Sequence, residues 1–261
     1  MVKDVELYYY TIGQGSPLVL IHGWCADGLS HLFQLPLSYN YRLILPDLRG
    51  FGKSSKPQTE CTTEILASDV NGLLETLGMK KAGVYGCTFG GMVALQFALD
   101  YPEMVEALIL VNTASTSSGL RQFFDDFISL LNAPNAVEAL IEMMSSALSG
   151  FDEAFAKSPA GLMFIEAWLE RLEHIEPKAL IELAKGIKKF EVTQRLSEIS
   201  VPTLIVAGEK DPVFPPSYSE EMHKRIAGSE YVIIDAGHGT PFLRPDEFNK
   251  VVRNFLNKIG H

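Results

Sequence analysis

Nowhere does this chain reach the roughly 18 uninterrupted apolar residues that a membrane-crossing helix requires. Its opening residues, Met1-Val2-Lys3-Asp4-Val5-Glu6, lack the apolar core of a secretory signal. Both absences lead us to expect a cytoplasmic protein without a membrane partner. Cysteine is scarce: Cys25, Cys61 and Cys87 form neither an even disulfide set nor a metal-ligand spacing, so free thiols are expected. Positive charge is also short, with 22 Lys and Arg against 32 Asp and Glu for a net charge of −10. That balance opposes nonspecific attraction to nucleic acid and anionic lipid, and small neutral substrates fit it better. Internal repeats and low-complexity tracts are missing too.

What the chain does have is apolar content. Its 261 residues are 47% hydrophobic, enough to bury one substantial core with an insertion. Unbroken apolar runs at 18–21, 43–45, 83–85, 107–111, 204–207 and 231–234 read as parallel strands buried on both faces. Helical patterns fit between them at 62–77, 90–101, 217–225 and 245–256. This βαβ rhythm predicts an α/β fold with a doubly wound, mostly parallel sheet and a site beyond the carboxyl ends of its strands. Residues 6–12 suit an additional antiparallel edge strand.

The β rhythm stops after Asn112. Phe123, Phe124, Phe127, Ile128 and Leu131 have helical spacing, as do Val137, Leu140, Ile141 and Met144, and again Met163, Trp168, Leu169 and Leu172. A helical cap over 113–190, inserted after the sixth core strand, is expected between core segments 1–112 and 191–261. Most of its apolar residues are expected to pack rather than line a pocket.

The stretch Gly86-Cys87-Thr88-Phe89-Gly90-Gly91 follows a strand-like run and opens a helix-like one. It approaches the G-x-S-x-G elbow, in which a strained backbone projects a nucleophilic oxygen and small neighbours let strand and helix approach. Threonine stands where serine is usual. Alone, the stretch reads more readily as a glycine-rich turn between strand and helix. Other strand-end loops supply His22-Gly23-Trp24, Asp47-Leu48-Arg49-Gly50-Phe51-Gly52-Lys53-Ser54, Gly208-Glu209-Lys210-Asp211-Pro212 and Gly237-His238-Gly239. Singly, Asp211 reads as a turn cap, His238 as a loop histidine and His22 as a group bonded to its own loop. Glu209 is a weaker acid candidate than Asp211. His31, His174, His223 and His261 match no motif and are expected at the surface, while Cys87 is expected to pack.

With five motifs in order, nearly the whole chain resembles the α/β-hydrolase superfamily. His22-Gly23-Trp24 and Ala236-Gly237-His238-Gly239-Thr240-Pro241-Phe242 are similar to the small carboxylesterase group typified by pimeloyl-acyl-carrier-protein methyl ester esterase. The resemblance implies the α/β-hydrolase fold and a triad of Thr88, Asp211 and His238. It also implies an oxyanion hole from the backbone N–H groups of Trp24 and Phe89, and a structural role for the Asp47–Ser54 loop. An acyl-enzyme route to ester hydrolysis follows, with no cofactor or metal. The expected substrates are small neutral esters with apolar acyl or aryl groups. A carrier-protein partner is the weaker alternative, because residues 116–190 hold 7 Lys and Arg against 11 Asp and Glu. Two other readings stay open at residue 88: a ligand-binding protein that has lost efficient turnover, or a serine enzyme carrying a Ser-to-Thr change.

Overall fold

A computed structural model of the chain describes residues 5–148 and 153–261. Its centre is a seven-stranded sheet in the order β1-β3-β2-β4-β5-β6-β7. The strands are β1 (Tyr9–Ile12), β2 (Ser16–Ile21), β3 (Tyr41–Pro46), β4 (Ala82–Cys87), β5 (Val105–Val111), β6 (Thr203–Gly208) and β7 (Glu230–Ile234). Only β1 runs antiparallel, along β3; the other neighbours are parallel. The sheet is therefore the expected α/β doubly wound one. β2, β4, β5 and β6 are apolar without alternation because helices cover both of their faces. β7 departs from that reading: it is an edge strand, and Ile233 is 47% exposed.

Helices α1 (Thr63–Thr76) and α2 (Phe89–Asp100) pack on one face of the sheet, in a cluster containing Val84, Leu66 and Val93. On the opposite face, Phe248 and Val252 of α10 (Pro245–Ile259) and Leu37 of an irregular 3₁₀ stretch (Gly28–Tyr39) pack against Tyr85 and Leu20. α2 is apolar nearly all round and almost wholly buried, as a helix enclosed by sheet and neighbours must be. α8 (Pro216–Arg225) packs on β6 and β7, and the short α9 (Thr240–Leu243) precedes α10.

Among the described residues, the chain between β5 and β6 forms α3 (Arg121–Leu131), α4 (Ala136–Leu148), α5 (Glu153–Lys157), α6 (Pro159–Leu172) and α7 (Pro177–Ile187), with no strand of the sheet. This helical segment follows the fifth strand rather than a sixth, because the described N-terminal residues contribute one edge strand, β1, before β2. Its two ends lie side by side: Ser117 N donates to Phe190 O at 3.0 Å and Val192 N to Ser115 O at 2.9 Å. Phe124, Phe127, Leu131, Leu140, Trp168 and Leu172 are buried as their spacing requires, but Met163 is 71% exposed. The side chain of Met144 lies outside the described residues. Ser158 caps α6 by accepting from Gly161 N at 3.0 Å, with Pro159 at the first helical position. No helix among the described residues is long and apolar enough to cross a membrane.

Chain order places the site. β3 is added to one side of β2 and β4 to the other, so the loops after β2 and β4 diverge at a switch point, where a crevice opens beyond the strand ends. Ile21 is paired with Gly86 in the β2–β4 ladder. The turn at His22 and the elbow at Thr88 are consequently neighbours.

Candidate active site

Thr88 lies between β4 and α2 with φ 52° and ψ −119°, a region that costs a β-branched residue on the order of 1–3 kcal/mol. Three hydrogen bonds hold it there. Thr88 N donates to Val111 O at 2.9 Å, while Thr88 O accepts from Gly91 N at 3.0 Å and from Thr113 Oγ1 at 2.6 Å. The glycines have steric reasons to be glycine: a Cβ on Gly86 would strike the backbone of Gly90, and one on Gly90 would strike the Ile21 carbonyl. A Cβ on Gly23 would lie 2.5 Å from Thr88 Oγ1, so the hydroxyl sits against the turn that carries Trp24.

Asp211 is buried at the end of β6, and its carboxylate is held from several sides. Oδ1 accepts from Val213 N at 2.8 Å and Phe214 N at 2.9 Å; Oδ2 accepts from Asn112 Nδ2 at 2.7 Å. His238, past the end of β7, brings Nδ1 within 3.1 and 3.0 Å of the two carboxylate oxygens. A carboxylate only accepts, so Nδ1 carries the proton and Nε2 is left with a lone pair. The His238 side chain is 24% exposed. It shares one cavity of about 500 Å³ with Thr88, Trp24 and Phe89. Asn112 was not singled out in the sequence. It has φ 46° at the carboxyl end of β5, and its position in the residue triplet Val111-Asn112-Thr113, just past a buried run, was the available signal.

His22 stands apart from this group. It is fully buried; its Nδ1–H donates to Gly23 O at 2.8 Å, and Nε2 accepts from Leu48 N at 3.0 Å. Burial pushes its pKa down, in keeping with a neutral ring that ties the loop after β2 to the one after β3. Asp47 is structural as well, with Oδ1 accepting from Gly28 N and Oδ2 from Lys53 N. Nearby, Arg49 and Asp69 form a buried two-pronged ion pair at 2.6 and 2.7 Å. Glu209 is exposed and outside the cavity lining.

Several expectations need correction. His174 and His223 are exposed, but His31 is buried with its ring edge-on to Tyr85, and the His261 side chain is buried against Tyr41. Ring-on-ring packing across the fold buries both, which their local sequence does not signal. Cys87 is buried but also lines the cavity, since β4 turns it to the same face as Tyr85. Burial pushes its thiol up to about 12, so it is a neutral group. All three cysteines are free. In the helical segment, Phe123, Phe124, Phe164 and Trp168 line the cavity, while most of the other described apolar residues of its stripes lie outside the lining, as expected.

Known proteins share this architecture. The chain is 26% identical over 269 residues to AB hydrolase superfamily protein YisY of Bacillus subtilis (strain 168), covering 98% of this chain and 97% of that protein. It is also 26% identical over 273 residues to 2-hydroxy-6-oxo-6-phenylhexa-2,4-dienoate hydrolase of Comamonas testosteroni, covering 98% and 93% of the two. Among solved structures, a thermophilic esterase from Thermogutta terrifontis superposes with a TM-score of 0.87 at 29% identity, covering 98% of this chain and 94% of that one. Residues 16–245 match the family described as alpha/beta hydrolase fold, and with hydrolases and an esterase among its relatives the chain belongs to that family.

Proposed function

We propose that this protein hydrolyses small neutral carboxylic esters with apolar acyl or aryl groups, using Thr88 as nucleophile, His238 as base and Asp211 as the group that orients the imidazole. The observation that carries this reading is the Asp211–His238 pair opening into the same cavity as a hydroxyl on a strained strand-to-helix turn. In the reaction, Thr88 Oγ1 bonds to the ester carbonyl carbon while its proton passes to His238 Nε2. The carbonyl oxygen becomes an oxyanion facing the N–H groups of Trp24 and Phe89. Collapse breaks the bond to the alcohol, which leaves with the proton from His238. Water then attacks the acyl-enzyme with His238 as base, releasing the acid and restoring Thr88. Preference for neutral esters is supported by a lining that, among the described residues, has no Asp, Glu, Lys or Arg.

The test is mass spectrometry after exposure to a fluorophosphonate or an activated ester. A covalent adduct on Thr88, lost in His238→Ala, is expected. An unmodified protein that still binds the ester would favour the second reading, a ligand-binding protein with impaired turnover. The threonine methyl at a position hostile to β-branched side chains is what favours that alternative.

A further inference from the structure

The cavity crosses the carboxyl edge of the sheet, and its two ends differ in chemistry. Strand alternation sends Val84 to the α1–α2 face, and Tyr85 and Cys87 to the α10 face. At the first end the cavity is walled by Trp24, Phe89 and Phe124. At the other it meets Tyr85, Cys87 and His31, the last delivered by the 3₁₀ stretch with its ring 5.2 Å from Tyr85 at 85°, along with Phe242 and the Phe164 ring stacked on it. His31 is 3% exposed and Tyr85 1%. Among the described residues, His31 Nε2 and the Tyr85 hydroxyl are both buried without a hydrogen-bond partner.

Buried polar atoms are nearly always paired, so two orphans on one wall of a cavity ask for a ligand group. The other polar groups nearby do not meet that need. Gln34 Nε2 already donates to Pro241 O at 2.7 Å. The Cys87 thiol sits beside the Tyr85 hydroxyl, but a thiol is a weak partner. The indole N–H of Trp24 is also unpartnered, yet its ring is enclosed by Phe51, Phe89, Phe124 and Phe127. Among the described residues the lining holds no Asp, Glu, Lys or Arg, so a carboxylate or ammonium would find no such counter-charge, whereas an uncharged oxygen would pair with His31 Nε2 or the Tyr85 hydroxyl once a small side-chain shift uncovers these closed-off atoms. Burial holds the His31 ring neutral, with its pKa near about 3.

We infer that His31 and Tyr85 form a polar subsite that binds an uncharged oxygen, a hydroxyl or ketone, on the small end of the ligand, while the aromatic wall takes its apolar end. The inference rests on the esterase reading only for calling that ligand a substrate; binding itself needs no turnover.

Calorimetry on a Thr88→Ala protein, which lacks the attacking hydroxyl, tests it with N-benzylbutanamide and its 3-hydroxy and 3-oxo derivatives. At least one oxygen-bearing amide should bind about tenfold tighter than the plain one, a difference of about 1.4 kcal/mol. Adding Tyr85→Phe, and separately His31→Leu, should reduce that preference to within about twofold while leaving N-benzylbutanamide binding unchanged. Tyr85→Phe removes a hydroxyl whose neighbour is the Cys87 thiol, a weak partner, so melting temperature should fall little. Equal binding of all three amides, or a preference untouched by both substitutions, would overturn the subsite. Parallel kinetics on benzyl butyrate and benzyl 3-hydroxybutyrate separate the two ideas. No ester turnover with a Tyr85-dependent amide preference leaves the subsite standing and removes the esterase. Turnover without the preference removes the subsite alone.

Discussion

At residue 88 a hydroxyl is retained and a methyl group is added, and these act in opposite directions. The hydroxyl sits against Gly23 in the cavity that His238 also lines, while the methyl burdens a positive-φ position hostile to β-branching. Thr88→Ser should therefore raise kcat for a small ester by about tenfold, the equivalent of about 1.4 kcal/mol in the transition state. Thr88→Ala should lose acylation and retain only weak background hydrolysis. Three indistinguishable rates in the parent and these variants would remove residue 88 from the chemistry. Asn112 allows a second test. Its amide donates to Asp211 from a backbone with φ 46°, a conformation glycine adopts freely. Asn112→Gly should accordingly keep the fold and lower kcat several-fold with little change in KM, because a donor to a carboxylate is lost. A KM effect alone would show that Asn112 shapes the pocket instead of steadying Asp211.

At the scale of elements, α6 grips the loop that bears Trp24. Trp168 Nε1–H donates to Cys25 O at 2.8 Å, and Arg171 pairs with Asp27 at 2.7 Å. Cys25, which takes the first of those contacts and adjoins Trp24, is a non-glycine residue with φ 51°. A strained loop needs such external holds to stay in one geometry. Trp168→Phe keeps a ring in the cavity wall and deletes the indole donor. If the Trp24 N–H does face the oxyanion, a displacement approaching 1 Å should lower kcat by up to about 100-fold, with KM nearly unchanged. Unaltered kcat would mean that the loop holds itself.

For the whole molecule, buried histidines set how folding responds to acid. Burial, and to a smaller degree His22, push His31 down from 6.5 to about 3, and burial also pushes His22 down. Between those values the unfolded chain binds more protons than the folded one. The stability contributed by His31 is therefore fully present above about 6.5 and is lost as pH falls toward about 3, at no more than about 1.4 kcal/mol per pH unit, and His22 acts in the same direction. Urea unfolding at pH 7 and pH 5 should show the parent losing stability and His31→Leu losing less. Parallel losses in the two proteins would contradict the depressed His31 titration.

Local sequence determined much of this architecture. Runs such as Leu18-Val19-Leu20-Ile21 announce strands covered on both faces, because burial is written into apolarity without alternation; β1 through β7 lie on the expected segments, with the edge strands β1 and β7 only partly covered. The elbow is legible because close approach of β4, α2 and the β2 loop admits only glycine at Gly86 and Gly90. Asp211 and His238 were legible from their place after strand ends, and the structure brings them within hydrogen-bond distance. Tertiary structure alone decided the rest. His31 belongs to an irregular stretch containing Pro36 and has no periodicity to betray its burial, which depends on a ring 54 positions away. Trp168 reaches Cys25 across 143 positions, and Asn112 reaches Asp211 across 99. Hydropathy patterns report which way a side chain faces its own element, so they carry strands and helices; hydrogen-bond partners brought together by chain crossings leave no such period.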